Sequence, residues 1–305
     1  MSPFTRASRT PRSARRRRLA AAAATAAALG LTVSACSGTD DDRASSAGSP
    51  SGVTVSHIHG VGLDPSDQRL YVATHEGIYT PDAEGRPTPV GDHRDDFMGF
   101  TVAGARTFLA SGHPAAGGDG PGNKGLIRST DAGRTWEQLS LAGQSDFHAL
   151  EQAHGRIYGY DSTNGRLRTS RDGVAWKDGA ALQAHDIAVS PRDPDVVLAT
   201  TPGGVVRSAD GGTTFGRAAE PVMAYLSWPV ADALHALDVT GGLHLSTDGG
   251  STWKKRGTVP GGAPQALTAV SADHVLAATQ TGVHESEDGG ATFTKRLDVE
   301  SGGGH

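Results

Sequence analysis

The 305-residue chain has a single cysteine, Cys36. An internal disulfide framework and a Cys-built zinc site are therefore both excluded. Aromatic residues make up only 5% of the chain, whereas its 42 glycines are about twice the usual share, which favours many tight turns over long helices. No Gly-x-Ser-x-Gly elbow supports a Ser-His-Asp hydrolase, and no glycine-rich phosphate loop with a following lysine occurs. No apolar run reaches the roughly 20 residues of a membrane span. Basic charge is also scarce beyond the first 36 residues, which hold 7 of the 28 basic residues and none of the 33 acidic ones. The remainder has 21 basic against 33 acidic residues, a net charge of −12. Such a surface cannot displace counterions from phosphates, which argues against a nucleic-acid partner.

What is present falls into three parts. Residues 1–36 combine an arginine-rich start (Arg6, Arg9, Arg12 and Arg15 to Arg18) with an apolar stretch, Leu19 to Val33, of signal-peptide length. The stretch ends in Leu31-Thr32-Val33-Ser34-Ala35-Cys36, which resembles the bacterial lipobox. That resemblance implies export, by either the general or the twin-arginine route, and acylation of Cys36 at the outer face of the cell membrane. Residues 37–52 are small and polar and read as a flexible tether. Residues 53–305 form the folded part.

The folded part repeats. The unit Ser-x-Asp-x-Gly-x-Thr-Trp/Phe occurs at 129–136, 208–215, 246–253 and 286–293, with a shortened copy at 170–176 and a decayed one at 80–82. From Asp82 the aspartates lie 49, 41, 38, 38 and 40 residues apart. A period near 40 with several short alternating strands per unit predicts an all-β fold, a six-bladed β-propeller. The motifs resemble the Asp boxes, or BNR repeats, of secreted bacterial propellers, including chains labelled sialidase-like or glycosyl hydrolase-like. In such a hairpin the carboxylate accepts backbone N–H bonds, so Asp131, Asp172, Asp210, Asp248 and Asp288 are expected to be turn staples, not acids of a reaction.

In a propeller blade the strands run from the axis outward, and the Asp-box turns lie on the face opposite the inner-strand starts. Aligning those starts gives one column of His57, Asp96, Asp146, His185, Pro221 and Ala263, and another of His59, Met98, His148, Ile187, Met223 and Gln265. With strict two-residue alternation both columns face the axis. Imidazole with thioether suits copper, and imidazole with carboxylate also suits zinc. The expected metal ligands are therefore His57, His59, Met98, His148, His185 and Met223, with His75 and His113 at the rim. The glycine-rich insertion from Ala115 to Lys124 would lie at the same mouth, as a lid or as a loop without a role.

Three functional classes follow. The first is a surface-anchored monomeric binding module that takes a metal, glycan or protein at its top face. The second is a glycoside hydrolase, for which Asp96, Asp146 and Asp186 are the axial carboxylates. Typical sialidase chemistry is disfavoured: the Arg-Ile-Pro motif is absent, no arginine occupies a strand start, and no tyrosine has an evident glutamate partner. The third is an assembly scaffold, with Tyr160, Tyr225 and Trp228 either as surface contacts or as packing between blades.

Overall fold

The computed structural model describes residues 55–299. These residues form six antiparallel sheets of consecutive strands, each a meander, at 58–89, 96–140, 147–181, 187–208, 223–258 and 264–298. Five have four strands; the fourth has three, and its outer edge is marked only by the isolated Val205–Ala219 bridge. The described residues contain no helix. The predicted six-bladed all-β propeller is the observed architecture.

Successive side chains of a strand point to opposite faces, and in the second strands of the blades both faces are buried, whereas the outer strands are largely exposed. Val72, for instance, packs toward blade 6, while its neighbours Tyr71 and Ala73 pack toward blade 2. The core is accordingly six apolar clusters, one at each blade junction, with no single centre. At the closing junction Ile58, Val61 and Val72 of blade 1 meet Leu276, Val283 and Leu297 of blade 6. The outer strand of blade 6, Thr294–Asp298, comes from the same end of the chain as the rest of its sheet.

The Ser-x-Asp turns join third and fourth strands, as their spacing predicts. Asp248 is typical: Oδ1 accepts the Thr252 N–H at 2.8 Å, Oδ2 accepts the Thr252 hydroxyl at 2.6 Å, and the Ser246 hydroxyl donates to Oδ1 at 2.8 Å. Asp131, Asp210 and Asp288 repeat this pattern, and Asp172 accepts the amides of Val174 and Ala175. These bonds hold the carboxyls of Asp131, Asp210 and Asp248 down at about 2. The aspartates are fully occupied by their own turns.

Between blades, inner-strand side chains latch onto the next inner strand's backbone. Glu151 accepts the Val189 amide at 2.8 Å, Asp186 the Leu226 amide at 2.8 Å, and Gln265 the Ile58 amide at 3.1 Å. Ser227 takes the Ala269 amide in the same way, and Ser111, on the second strand of blade 2, takes the Phe147 amide. Each bond satisfies an amide at a bulge or strand end that the ladder leaves over.

Candidate metal centre

A one-residue bulge near the start of the inner strand shapes the mouth of the axial channel. In blade 1 pairing steps from Ile58–Thr74 to Gly60–Ala73 and skips His59. The same step skips Met98 in blade 2, His148 in blade 3, Ala224 in blade 5 and Gln265 in blade 6. In blade 4 His185 bonds to Thr200 and Ile187 pairs with Ala199, which makes Asp186 the extra residue. A bulge re-aims the side chain that it leaves unpaired. Here the re-aimed His59, Met98, His148, Asp186 and Gln265 line a channel of about 630 Å³.

The bulge corrects the expected alignment by one residue in blades 4 and 5. Asp186, not Ile187, is the counterpart of His59, and Ile187 packs in the cluster between blades 3 and 4. Met223 does not reach the channel. It is 2% exposed in the apolar cluster between blades 4 and 5 with Leu226 and Trp228, and Tyr225 lines the channel instead. The thioether expected from blade 5 is thus absent from the mouth, and Met98 alone of that pair lines it. His185 is at the mouth, edge-on to Tyr225 with ring centroids 4.8 Å apart. Trp228 and Tyr160 are buried between blades, the latter donating its hydroxyl to Leu182 O.

His59, His75 and Asp96 converge at this mouth. The bulge supplies His59, the loop between the second and third strands of blade 1 supplies His75, and the first residue of the blade 2 inner strand supplies Asp96. His59 Nε2 lies 3.4 Å from His75 Nδ1 and 3.8 Å from Asp96 Oδ1, and His75 Nδ1 lies 2.8 Å from Asp96 Oδ1. Despite that proximity, Asp96 Oδ1 is buried and accepts no well-directed hydrogen bond from the protein. Two ligand atoms on a tetrahedral ion with bonds of about 2.0–2.1 Å stand roughly 3.3–3.4 Å apart, which is the separation of the two imidazole nitrogens. Burial, reinforced by the neighbouring imidazoles His75, His57 and His148, pushes His59 down to about 3. Its ring is neutral at physiological pH and presents a lone pair.

His57 stands in the same cluster, 4.7 Å from His59 between ring centroids, but its role differs. Gln265 Oε1 accepts the Ile58 amide, so its Nε2 is the donor that meets His57 Nδ1 at 3.0 Å. This leaves the neutral His57 ring with its proton on Nε2 and its Nδ1 lone pair engaged. His57, expected as a ligand, stands beside the His59–His75–Asp96 group and outside it, with Nδ1 engaged by Gln265.

A second grouping lies at the junction of blades 2 and 3. Asp146, 4% exposed, is within reach of His148 Nε2 at 2.6 Å, His113 Nε2 at 3.4 Å and the Ser162 hydroxyl at 3.2 Å. The insertion, expected as a lid or as a loop without a role, is tied to its neighbours at its C-terminal end: Lys124 pairs with Asp95 at 2.9 Å, Asn123 bonds to Thr163, and Gly122 O accepts from His113 Nδ1 at 2.8 Å.

Glu151 and Asp186 also line the channel, and sequence reasoning passed over Glu151. Enclosure by protein raises Asp186 to about 7 and Glu151 to about 8, the latter with a contribution from Asp186. The available signal was a lone acidic residue between Leu150 and Gln152 inside an inner strand.

No protein-family description matches the sequence, and no curated protein resembles it in sequence. Solved structures do resemble the fold. A putative gluconolactonase aligns with TM-score 0.61 and 15% identity over 81% of this chain and 91% of its own. An ancestral GH74 enzyme aligns with TM-score 0.53 and 14% identity, over 82% of this chain but only 40% of its own. YCF48 bound to a D1 peptide aligns with TM-score 0.54 and 14% identity over 77% and 94%. At these identities the likeness establishes the propeller fold alone.

Proposed function

We propose that the chain is a membrane-tethered β-propeller that binds a transition-metal ion at its channel mouth through His59, His75 and Asp96. The observation that carries this reading is the approach of two imidazole nitrogens and a buried carboxylate oxygen with no hydrogen bond to satisfy that oxygen. Two imidazoles and a carboxylate suit zinc or Cu(II), and Met98 on the channel wall offers a softer donor that favours Cu(I). Acylation of Cys36 would hold the mouth at the outer surface of the cell membrane. A hydrolytic role has less support: Asp96 and Asp146 lie against histidines, and Asp186 is engaged by the Leu226 amide.

The test uses the full chain carrying Cys36→Ser, which leaves no thiol to compete for metal. The protein is loaded separately with Cu(I), Cu(II) and Zn(II), dialysed and assayed for bound metal beside a His59→Ala/His75→Ala variant. Retained metal that falls by one equivalent in the still-folded variant is expected; no retained metal in either protein overturns the reading. In cells Cys36→Ser should also move the protein from the membrane fraction to the soluble fraction, and no movement refutes the tether.

A further inference from the structure

We infer that the channel holds a binding site for a small organic cation, a primary alkylammonium, formed by Glu151 of blade 3, His185 and Asp186 of blade 4 and Tyr225 of blade 5. All four side chains line the channel of about 630 Å³, on blades that contribute none of His59, His75 and Asp96. Each carboxyl has one oxygen committed to the ring. Glu151 Oε2 accepts the Val189 amide and Asp186 Oδ2 accepts the Leu226 amide, both at 2.8 Å, which leaves Oε1 and Oδ1 to the channel. Tyr225 stands beside them, edge-on to His185 at 4.8 Å between ring centroids. Burial, and after it the Asp186 carboxylate, raise the Tyr225 hydroxyl, which has no protein partner among the described residues.

The charge of this wall selects the ligand. No lysine or arginine lines the channel among the described residues, so an anion would meet two carboxyls with no positive side chain to offset them. A bare metal ion is a poor fit, because only His59, His75 and Asp96 among the described residues bring three such ligand atoms within 4.8 Å of one another. An ammonium group offers three N–H donors and no acceptor, which matches two carboxyl oxygens and a phenol oxygen. Enclosure raises Asp186 to about 7 and Glu151 to about 8, so near neutral pH the pair resists holding two negative charges. A monocation supplies the positive charge that the wall lacks, and the Tyr225 ring gives it an aromatic face. Leu63 and Val102, half-buried toward the far ends of the inner strands of blades 1 and 2, line the same channel and suit an apolar substituent.

The experiment titrates hexylammonium chloride into the Cys36→Ser full chain by calorimetry, in EDTA and without added metal, beside 1-hexanol as the neutral counterpart. One equivalent of hexylammonium is expected to bind, about tenfold or more tightly than hexanol. Glu151→Gln/Asp186→Asn keeps an oxygen for the Val189 and Leu226 amides. That variant, its fold checked by circular dichroism, should weaken hexylammonium by about tenfold or more and leave hexanol unchanged. Tyr225→Phe, which removes only the hydroxyl, should weaken hexylammonium by roughly threefold or more. No saturable binding overturns the site, as does hexanol binding as tightly or hexylammonium binding that survives both variants. Because no metal is present, none of these outcomes depends on the centre at His59.

Discussion

Glu151 shows how one side chain in the channel sets the pH response of the molecule. Its carboxyl accepts the Val189 amide on the channel wall, where burial raises it from its ordinary value to about 8. A raised carboxyl holds its proton in the folded state across a range where the unfolded chain has lost it. Its stabilising contribution is therefore complete below about pH 4.5 and is lost as pH rises through about 8. Glu151→Gln keeps an oxygen for the Val189 amide and removes the ionisation. Wild type and variant should have similar stability at pH 5, and the variant should be more stable at pH 8.5 by about 2 kcal/mol after allowance for channel water. Urea unfolding at the two pH values measures this, and equal stability at both would refute the assignment. Residue chemistry of this kind was partly legible beforehand. Histidines at repeated strand starts stood out by type and position, whereas Glu151 was passed over because nothing in its type or spacing marks it as lining the channel.

The bulged inner strand is the element that the sequence concealed. A period of two predicts that residues two apart share a face, and the extra residue at the start of each inner strand breaks that rule where the site is built. The histidine columns survived because His57 and His59 flank the buried Ile58, but blades 4 and 5 slipped by one and carried Met223 into the core. The turns were legible in full, since Ser, Asp, Gly and Thr bond within a few residues and need no tertiary partner. Gln265 belongs to this scale because its bulge joins blade 6 to blade 1, taking the Ile58 amide and donating to His57. Gln265→Ala leaves that amide unpaired and frees the His57 tautomer beside the proposed ligands His59 and His75. The expected outcome is a loss of about 1–2 kcal/mol in stability together with roughly tenfold weaker metal binding. Unfolding and metal titration on one preparation check both, and a stability loss with unchanged affinity would make Gln265 a latch only.

At the scale of the whole molecule the ring closes on itself without a covalent bond among the described residues. The sixth blade is built from its own consecutive strands, so the seam rests on the apolar cluster shared with blade 1 and a few crossing bonds, among them Thr268 to Val61 O at 2.7 Å and the Asp298 amide to Gly85 O at 2.9 Å. A blade buries neither face alone, so opening one junction exposes two slabs of core at once. That arrangement predicts a single cooperative transition for the six blades. Leu276 is fully buried in the seam, and Leu276→Ala should cost about 2–4 kcal/mol through lost burial and the cavity left behind. The four tryptophans report from elsewhere: Trp136 packs between blades 1 and 2, Trp176 between 2 and 3, and Trp228 and Trp253 between 4 and 5. If the ring is one unit, the seam substitution shifts the urea midpoint seen by tryptophan fluorescence and by circular dichroism equally, with the denaturant slope unchanged. A fluorescence midpoint that stays in place while the circular dichroism transition moves or splits would show that the seam opens independently. The channel mouth would then be a gap between a rigid arc of blades and a detachable end, and opening the seam, which parts Gln265 from His57, would weaken metal binding as Gln265→Ala does.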